Sequence, residues 1–167
     1  GIDEDTAVEL STEFSAAVES IARRLGIERV RSSTDQHVFA AGLGRSEHAT
    51  EVAAEFTLEV AAKIDAFERE HGVDLTYRAG ISAGGVISGL LRSDQLTYGV
   101  FGDPPRAALA LAGVAGSNQI LVDKAAATEL RTEWALTTDP DLVDLRGERV
   151  AAEILVGRRD SSTELTT

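Results

Sequence analysis

Two stretches of one-sided helical periodicity decide most of what this chain can become. Phe14, Val18, Ile21 and Leu25 recur at spacings of four, three and four, and Val52, Phe56, Val60, Ile64 and Phe67 repeat the pattern further on. On a helical period each set lies on a single face. The spacing therefore predicts helices over about Thr6–Leu25 and from near Ser46 to His71-Gly72, each with one stripe to bury. Gly26 stands where the first helix should end in a left-handed residue. Such helices need something to pack on, and the intervening segments supply strands. Ile27–Ser32 and His37–Leu43 flank Ser33-Thr34-Asp35-Gln36 and read as a hairpin with Asp35 at its tip. Leu75–Ser82 and Val86–Leu91 flank Ala83-Gly84-Gly85 and read as a second hairpin. After Leu96–Phe101 comes Gly102-Asp103-Pro104-Pro105, where Asp103 is placed to cap and the prolines suit the first turn of a helix running through Arg106–Val114. Gln119–Val122 reads as a buried strand before a short helix, Lys124–Arg131. The last third alternates more loosely through Trp134–Leu136, Leu142–Leu145 and Val150–Val156. Hairpins mixed with helices make the fold class α+β.

The length, 167 residues, fits one domain over residues 1–158 with a polar tail over 159–167. Sixteen Lys and Arg against 28 Asp and Glu leave a net charge of −12. That balance argues against nucleic acid as a partner, because affinity for a phosphate backbone comes from Lys and Arg displacing counterions. No run of about 18 apolar residues is present, so no membrane span is expected in this chain. With no Cys there is no disulfide framework, thiolate metal site or cysteine nucleophile, and the redox compartment stays open. A chain that starts at Gly1 and contains no Met reads as a piece of a longer protein. His37, His48 and His71 do not cluster and read as structural.

Several segments, in order, carry a resemblance. Arg29-Val30-Arg31-Ser32-Ser33-Thr34-Asp35 ends a strand, and Glu47-His48-Ala49 opens a helix. Tyr77-Arg78-Ala79-Gly80-Ile81-Ser82-Ala83-Gly84-Gly85-Val86-Ile87-Ser88-Gly89 is the strongest stretch. Leu96-Thr97-Tyr98-Gly99-Val100-Phe101-Gly102-Asp103 follows it. Asn118-Gln119-Ile120-Leu121-Val122 and Leu145-Arg146-Gly147 come later. In this order and spacing the series resembles the class III nucleotide cyclases, which make cyclic AMP or cyclic GMP, over about residues 6 to 156. The resemblance implies a ferredoxin-like sheet that dimerises head to tail with sites at the interface. It also implies that the domain lies in the cytoplasm as an output unit of a larger, membrane-anchored protein. In the family a strand precedes the first helix and carries the first metal carboxylate. Asp3 and Asp5 have no β-type apolar run around them and suit the positive end of a helix. The expected sheet therefore lacks its first central strand or completes it from another segment.

The resemblance also assigns roles, one residue at a time. Asp35 sits at the place of the second metal carboxylate, which in such cyclases helps hold Mg²⁺ or Mn²⁺ while the ribose hydroxyl attacks the α-phosphate. It reads equally as an ordinary turn residue, and Thr34 replaces the family's Gly before it. One carboxylate alone holds such an ion weakly. The base-reading positions, Lys and Asp in adenylate cyclases, are Arg31 and Gly99, the latter just ahead of the Phe101-Gly102 pair, with Phe101 on the substrate side. The ribose-orienting Asn and the transition-state Arg, four apart on the following helix, become Arg106 and Ala110. Losing a cation aimed at developing phosphate charge costs on the order of 10³ in rate. Arg106 is one helical turn from position 110 and could reach the same phosphate, or be a first-turn helix residue at a dimer surface. Arg146 matches a phosphate-contacting Lys and otherwise reads as a surface Arg in a turn.

Three functions are consistent with these residues. The first is a catalytically degenerate cyclase-homology module of signal transduction that dimerises with itself or another cyclase-like domain. The second is a working adenylate or guanylate cyclase, as a heterodimer lending Asp35 or through non-standard residues. The third is a nucleoside triphosphate or other ligand sensor without turnover.

Overall fold

In the computed structural model of the chain, residues 4–33, 35–44, 47–92, 96–139, 141–142, 144 and 146–159 are described. Asp3, Thr34, Ser46, Leu145 and residues 160–167 of the polar tail lie outside them. The chain divides into two compact units, Gly1–Thr76 and Tyr77–Thr167.

The first unit is built by the two apolar stripes. Helix α1 (Glu4–Leu25) ends at Gly26, which takes φ 69°. Helix α2 (Ala49–His71) ends at Gly72, whose φ of 64° lets its N–H reach the Glu68 carbonyl at 2.8 Å. Between them β1 (Glu28–Ser32) pairs antiparallel with β2 (His37–Ala40), with the register shifting between Arg29 and Arg31. Ala22, Ile27 and Phe56 form the buried centre, and Val18, Ile21, Leu25, Phe39, Val52 and Val60 pack around it. The predicted stripes are thus the faces that meet. The Phe39 and Phe56 rings lie 4.7 Å apart, and Phe14 meets Phe67 edge-on at 5.6 Å. His48 enters α2 in the left-handed region (φ 58°), with its Nδ1 3.1 Å from Glu51.

The second unit comprises β3 (Arg78–Ile81), β4 (Ile87–Arg92), β5 (Leu96–Phe101), α3 (Asp103–Val114), β6 (Gln119–Asp123), α4 (Lys124–Leu130), β7 (Trp134–Thr137) and β8 (Ala152–Arg158). Its sheet runs β3-β6-β8-β7, with β3 and β6 parallel and the other pairs antiparallel. Leu111, Ala115, Leu121 and Leu142 centre its core, and Val114, Val150, Ala152 and Ile154 complete it. Parallel strands need a crossover, and the β3–β6 crossover contains a separate antiparallel hairpin, β4–β5, followed by α3.

That pairing corrects the expected second hairpin. β3 does not turn back onto β4 across Ala83-Gly84-Gly85. Those glycines instead carry the chain along the start of α3, where a Cβ on Gly84 would meet Pro104 Cγ at 3.1 Å and one on Gly102 would meet the Gly85 carbonyl at 3.1 Å. The hairpin partner of β4 is β5. Asp103 also departs from expectation. The N-cap of α3 is Gly102, with φ 136° and no side-chain cap bond, and Asp103 is already helical. The looser final third resolves into β7, a turn and β8. Asp144 Oδ1 accepts from the backbone N–H groups of Arg146 and Glu148, at 2.8 and 2.9 Å, and β8 begins at Ala152.

Among the described residues no strand precedes α1, β2 pairs only β1, and β3 pairs only β6.

Candidate functional site

The candidate residues fall in both units, and each unit has its own local geometry. In the first, the β1–β2 hairpin carries Arg31 and Asp35 together. Arg31 pairs with Val38 and is exposed. Asp35 lies in the connecting loop, which Ser33 closes by donating its N–H to the Gln36 carbonyl at 2.8 Å. The Ser33 hydroxyl stands 3.3 Å from Asp35 Oδ1 and 3.1 Å from the Gln36 carbonyl. This is the side-chain-closed turn that Ser and Asp favour. The loop of the hairpin offers one carboxylate, Asp35, and among the described residues no three of His, Asp and Glu converge on a point. A pair of divalent ions does not fit this donor set.

In the second unit the site-forming segment runs from β5 into α3. Phe101, the last residue of β5, is 43% exposed. It pairs across the hairpin with Ile87, while Gly99 pairs with Gly89. Side chains two apart on a strand share a face, and the Phe101 ring folds back over Gly99. A Cβ built on Gly99 would lie 2.6 Å from Phe101 Cζ and 2.9 Å from Cε2. Only glycine leaves that ring where it is.

One helical turn further, Arg106 donates from Nη2 to Asp103 Oδ1, three residues before it, with both side chains more than four-fifths exposed. An ion pair so wetted contributes little stability. Ala110, one turn on, is exposed. Arg146 lies in the Asp144 turn, where Gly147 takes φ 79°. Its side chain is exposed.

Sequence reasoning did not single out a cleft of about 270 Å³ at the C-terminal ends of β3 and β6, lined by Ser82, Gly84, Gly85, Asp103, Pro104 and Asp123. The Ser82 hydroxyl donates to Asp123 Oδ2, and Asp123 Oδ1 accepts from the Ala126 N–H at 2.8 Å, capping α4. Both oxygens of this carboxylate are therefore engaged in holding the fold. The signal was present: an Asp immediately before Lys124-Ala125-Ala126-Ala127 is an N-cap pattern.

The sequence profile of the adenylate and guanylate cyclase catalytic domain matches residues 5–157. The chain belongs to that family. Among curated relatives, the adenylate cyclases of Mycobacterium bovis and Mycobacterium tuberculosis are 23% identical over 147 residues, covering 86% of this chain and 33% of each relative. The chain thus spans about a third of the length of the relatives it matches. The cyclase fold is equally clear among solved structures. The guanylate cyclase domain of RhGC from Catenaria anguillulae, in complex with GTP, has a TM-score of 0.82 at 17% identity, covering 95% of this chain and 87% of that one. The adenylyl cyclase CyaB from P. aeruginosa gives 0.79 at 16% identity, covering 99% and 88%. A non-canonical dimeric guanylyl cyclase domain of the RhoGC fusion protein from Blastocladiella emersonii gives 0.81 at 17% identity, covering 95% and 87%. At these identities the structural likeness speaks for the fold. No helix among the described residues of this cyclase domain is long and apolar enough to cross a membrane.

Proposed function

We propose that this class III cyclase domain serves intracellular signal transduction as a dimerising, regulatory module that makes little or no cyclic nucleotide by itself. The observation that carries this reading is the exposed face of α3. Where the family's chemistry calls for an Asn and an Arg one turn apart, the helix presents Arg106, drawn to Asp103, and Ala110, which has no charge to offer. Stabilisation of developing phosphate charge by such a cation is worth about 10³-fold or more in rate. Gly99 offers no group to read a base edge, and among the described residues Asp35 is joined by no cluster of carboxylates that two Mg²⁺ or Mn²⁺ ions require.

The dimerising half of the proposal rests on the β4–β5 hairpin. Ile87 is 76% and Leu90 68% exposed, on opposite faces of a two-stranded ribbon. A ribbon of two strands is barely stable alone, so apolar side chains on both faces favour a covering partner. A second cyclase-like domain, identical or not, is the partner proposed; the Blastocladiella domain, a non-canonical dimer, is one neighbour that pairs. Any ligand is a nucleoside triphosphate, as in the GTP-bound Catenaria domain, for which Arg31 in the first unit and Phe101 and Arg146 in the second are each proposed as contacts. The parent protein is taken to hold this domain on the cytoplasmic side as its output unit.

The test is direct. The purified chain, incubated with ATP or GTP and Mn²⁺, is expected to give no cyclic product above a protein-free control. Cyclic product that disappears in Asp35→Asn would reverse the reading and make the chain a working cyclase.

A further inference from the structure

The cleft at the C-terminal ends of β3 and β6 is rich in hydrogen-bond acceptors and poor in donors. On its α3 side, Pro104 and Pro105 remove two N–H groups from the first helical turn, and no side chain caps the helix. Helix N-termini ordinarily attract anions through those N–H groups, and this one is poorly equipped to do so. Ser82 gives its hydroxyl proton to Asp123. Asp123 is half-buried, and both groups that donate to it, that hydroxyl and the Ala126 N–H, are neutral. A carboxylate has about four lone-pair sites, of which these bonds use two. Asp103 adds a second carboxylate, well exposed, to the lining. Gly84, Gly85, Pro104 and Ala107 supply walls with no polar side chain.

We propose that this cleft binds a primary ammonium group carried on a short aliphatic stem, with Asp123 as its inner counter-charge, Asp103 as its outer one and the glycine, proline and alanine walls against the stem. An ammonium has three donors and no acceptor, the complement of this lining. Its hydrogen bond to a carboxylate is about twice as strong as a neutral one, so it gives Asp123 what a hydroxyl and an amide do not. A volume of about 270 Å³ lies just below the range of drug-sized ligand sites, which suits a short stem. A divalent ion is the poorer match, since among the described residues no three of His, Asp and Glu converge. A free amine and the lysine side chain of another protein present the same chemistry. The proposal does not depend on a nucleotide ligand.

Backbone amide chemical shifts of the full chain, followed by nuclear magnetic resonance during titration with n-butylamine at neutral pH, test this. Saturable shifts are expected at Ser82, Gly84, Gly85 and Ala126, and n-butanol, the uncharged match, is expected to give none there. Asp123→Asn keeps a capping side chain but not the charge, and should weaken the amine about tenfold or more. Arg106→Ala should instead tighten it about threefold, because Arg106 no longer competes for Asp103. A gain of that kind cannot come from a damaged fold. N-acetyl-lysine amide is the second probe: binding of both probes assigns the site to a lysine side chain, and binding of n-butylamine alone assigns it to a free amine. No shifts at these amides, equal shifts with n-butanol, or affinity unchanged in Asp123→Asn overturns the proposal.

Discussion

A Cβ placed on Gly80 would stand 2.2 Å from the Ala108 carbonyl oxygen and 2.7 Å from Leu111 Cβ. Backbone of α3 lies directly on the β3 backbone at this point, and neither can yield without parting helix from sheet. Gly80→Ala should therefore destabilise the chain by about 1–3 kcal/mol, the range of overpacking in a filled core. Gly113, within α3, has nothing within 4 Å of the same position, so Gly113→Ala should raise stability by roughly 0.5–1 kcal/mol through helix propensity. Urea midpoints for the two variants check both signs, and an unshifted midpoint for Gly80→Ala would contradict the packing. The contrast between two aspartates shows what was legible at this scale. Asp103 and Asp123 each precede a helical run, yet only Asp123 caps one. Its extended backbone, φ −74° and ψ 173°, aims the carboxylate at Ala126. At α3 Gly102 takes the cap position with φ 136°, and Asp103 turns to Arg106. Residue type alone signalled a cap at both, and backbone direction decided between them.

Helices α1 and α2 could be read from spacing because their stripes recur within a few residues, and Gly26 and Gly72 mark their ends. Pairing of strands was harder. The β1–β2 hairpin is local, and its turn residues announce it. β3 instead pairs with β6, beyond an intervening hairpin and helix, and no local pattern distinguishes that parallel partner from the nearer β4. The candidate site was legible as a set of positions, since Gly99, Phe101, Arg106 and Ala110 sit on consecutive elements in the expected order. That Phe101 lies over Gly99 was not, because ring placement depends on a side-chain rotamer. The hairpin itself bears on assembly. Leu90 faces away from Phe101 on the ribbon and is largely exposed. Leu90→Glu should weaken self-association at least tenfold in sedimentation equilibrium, because a charge entering an apolar contact is left unpaired, with nucleotide affinity unchanged. Self-association that persists undiminished would place the contact elsewhere.

Charge and core are distributed unevenly over the whole molecule. Sixteen of the 28 acidic residues and seven of the 16 basic ones fall in residues 1–76, so most of the net charge belongs to the first unit. That excess, broad and negative, opposes polyanions and leaves a nucleotide dependent on a few arginines. The second unit holds the chain's single tryptophan. Trp134 is 2% exposed, with the Arg158 guanidinium 5.3 Å from its ring centre and Arg159 Nε bonded to its carbonyl at 3.1 Å. Its indole N–H finds no acceptor among the described residues. One consequence is optical. With no other indole in the chain, all tryptophan emission originates between β7 and β8, so it reports the state of the second unit, whereas far-ultraviolet circular dichroism is weighted toward α1 and α2. The native emission should be that of an indole shielded from water, weakly quenched by acrylamide, and should move to longer wavelength and become readily quenched as urea opens the β7–β8 pair. Ready quenching in the native state would place the ring outside the core. The two spectroscopic signals, recorded on one sample, assign any separate loss of structure to the half of the chain in which it occurs.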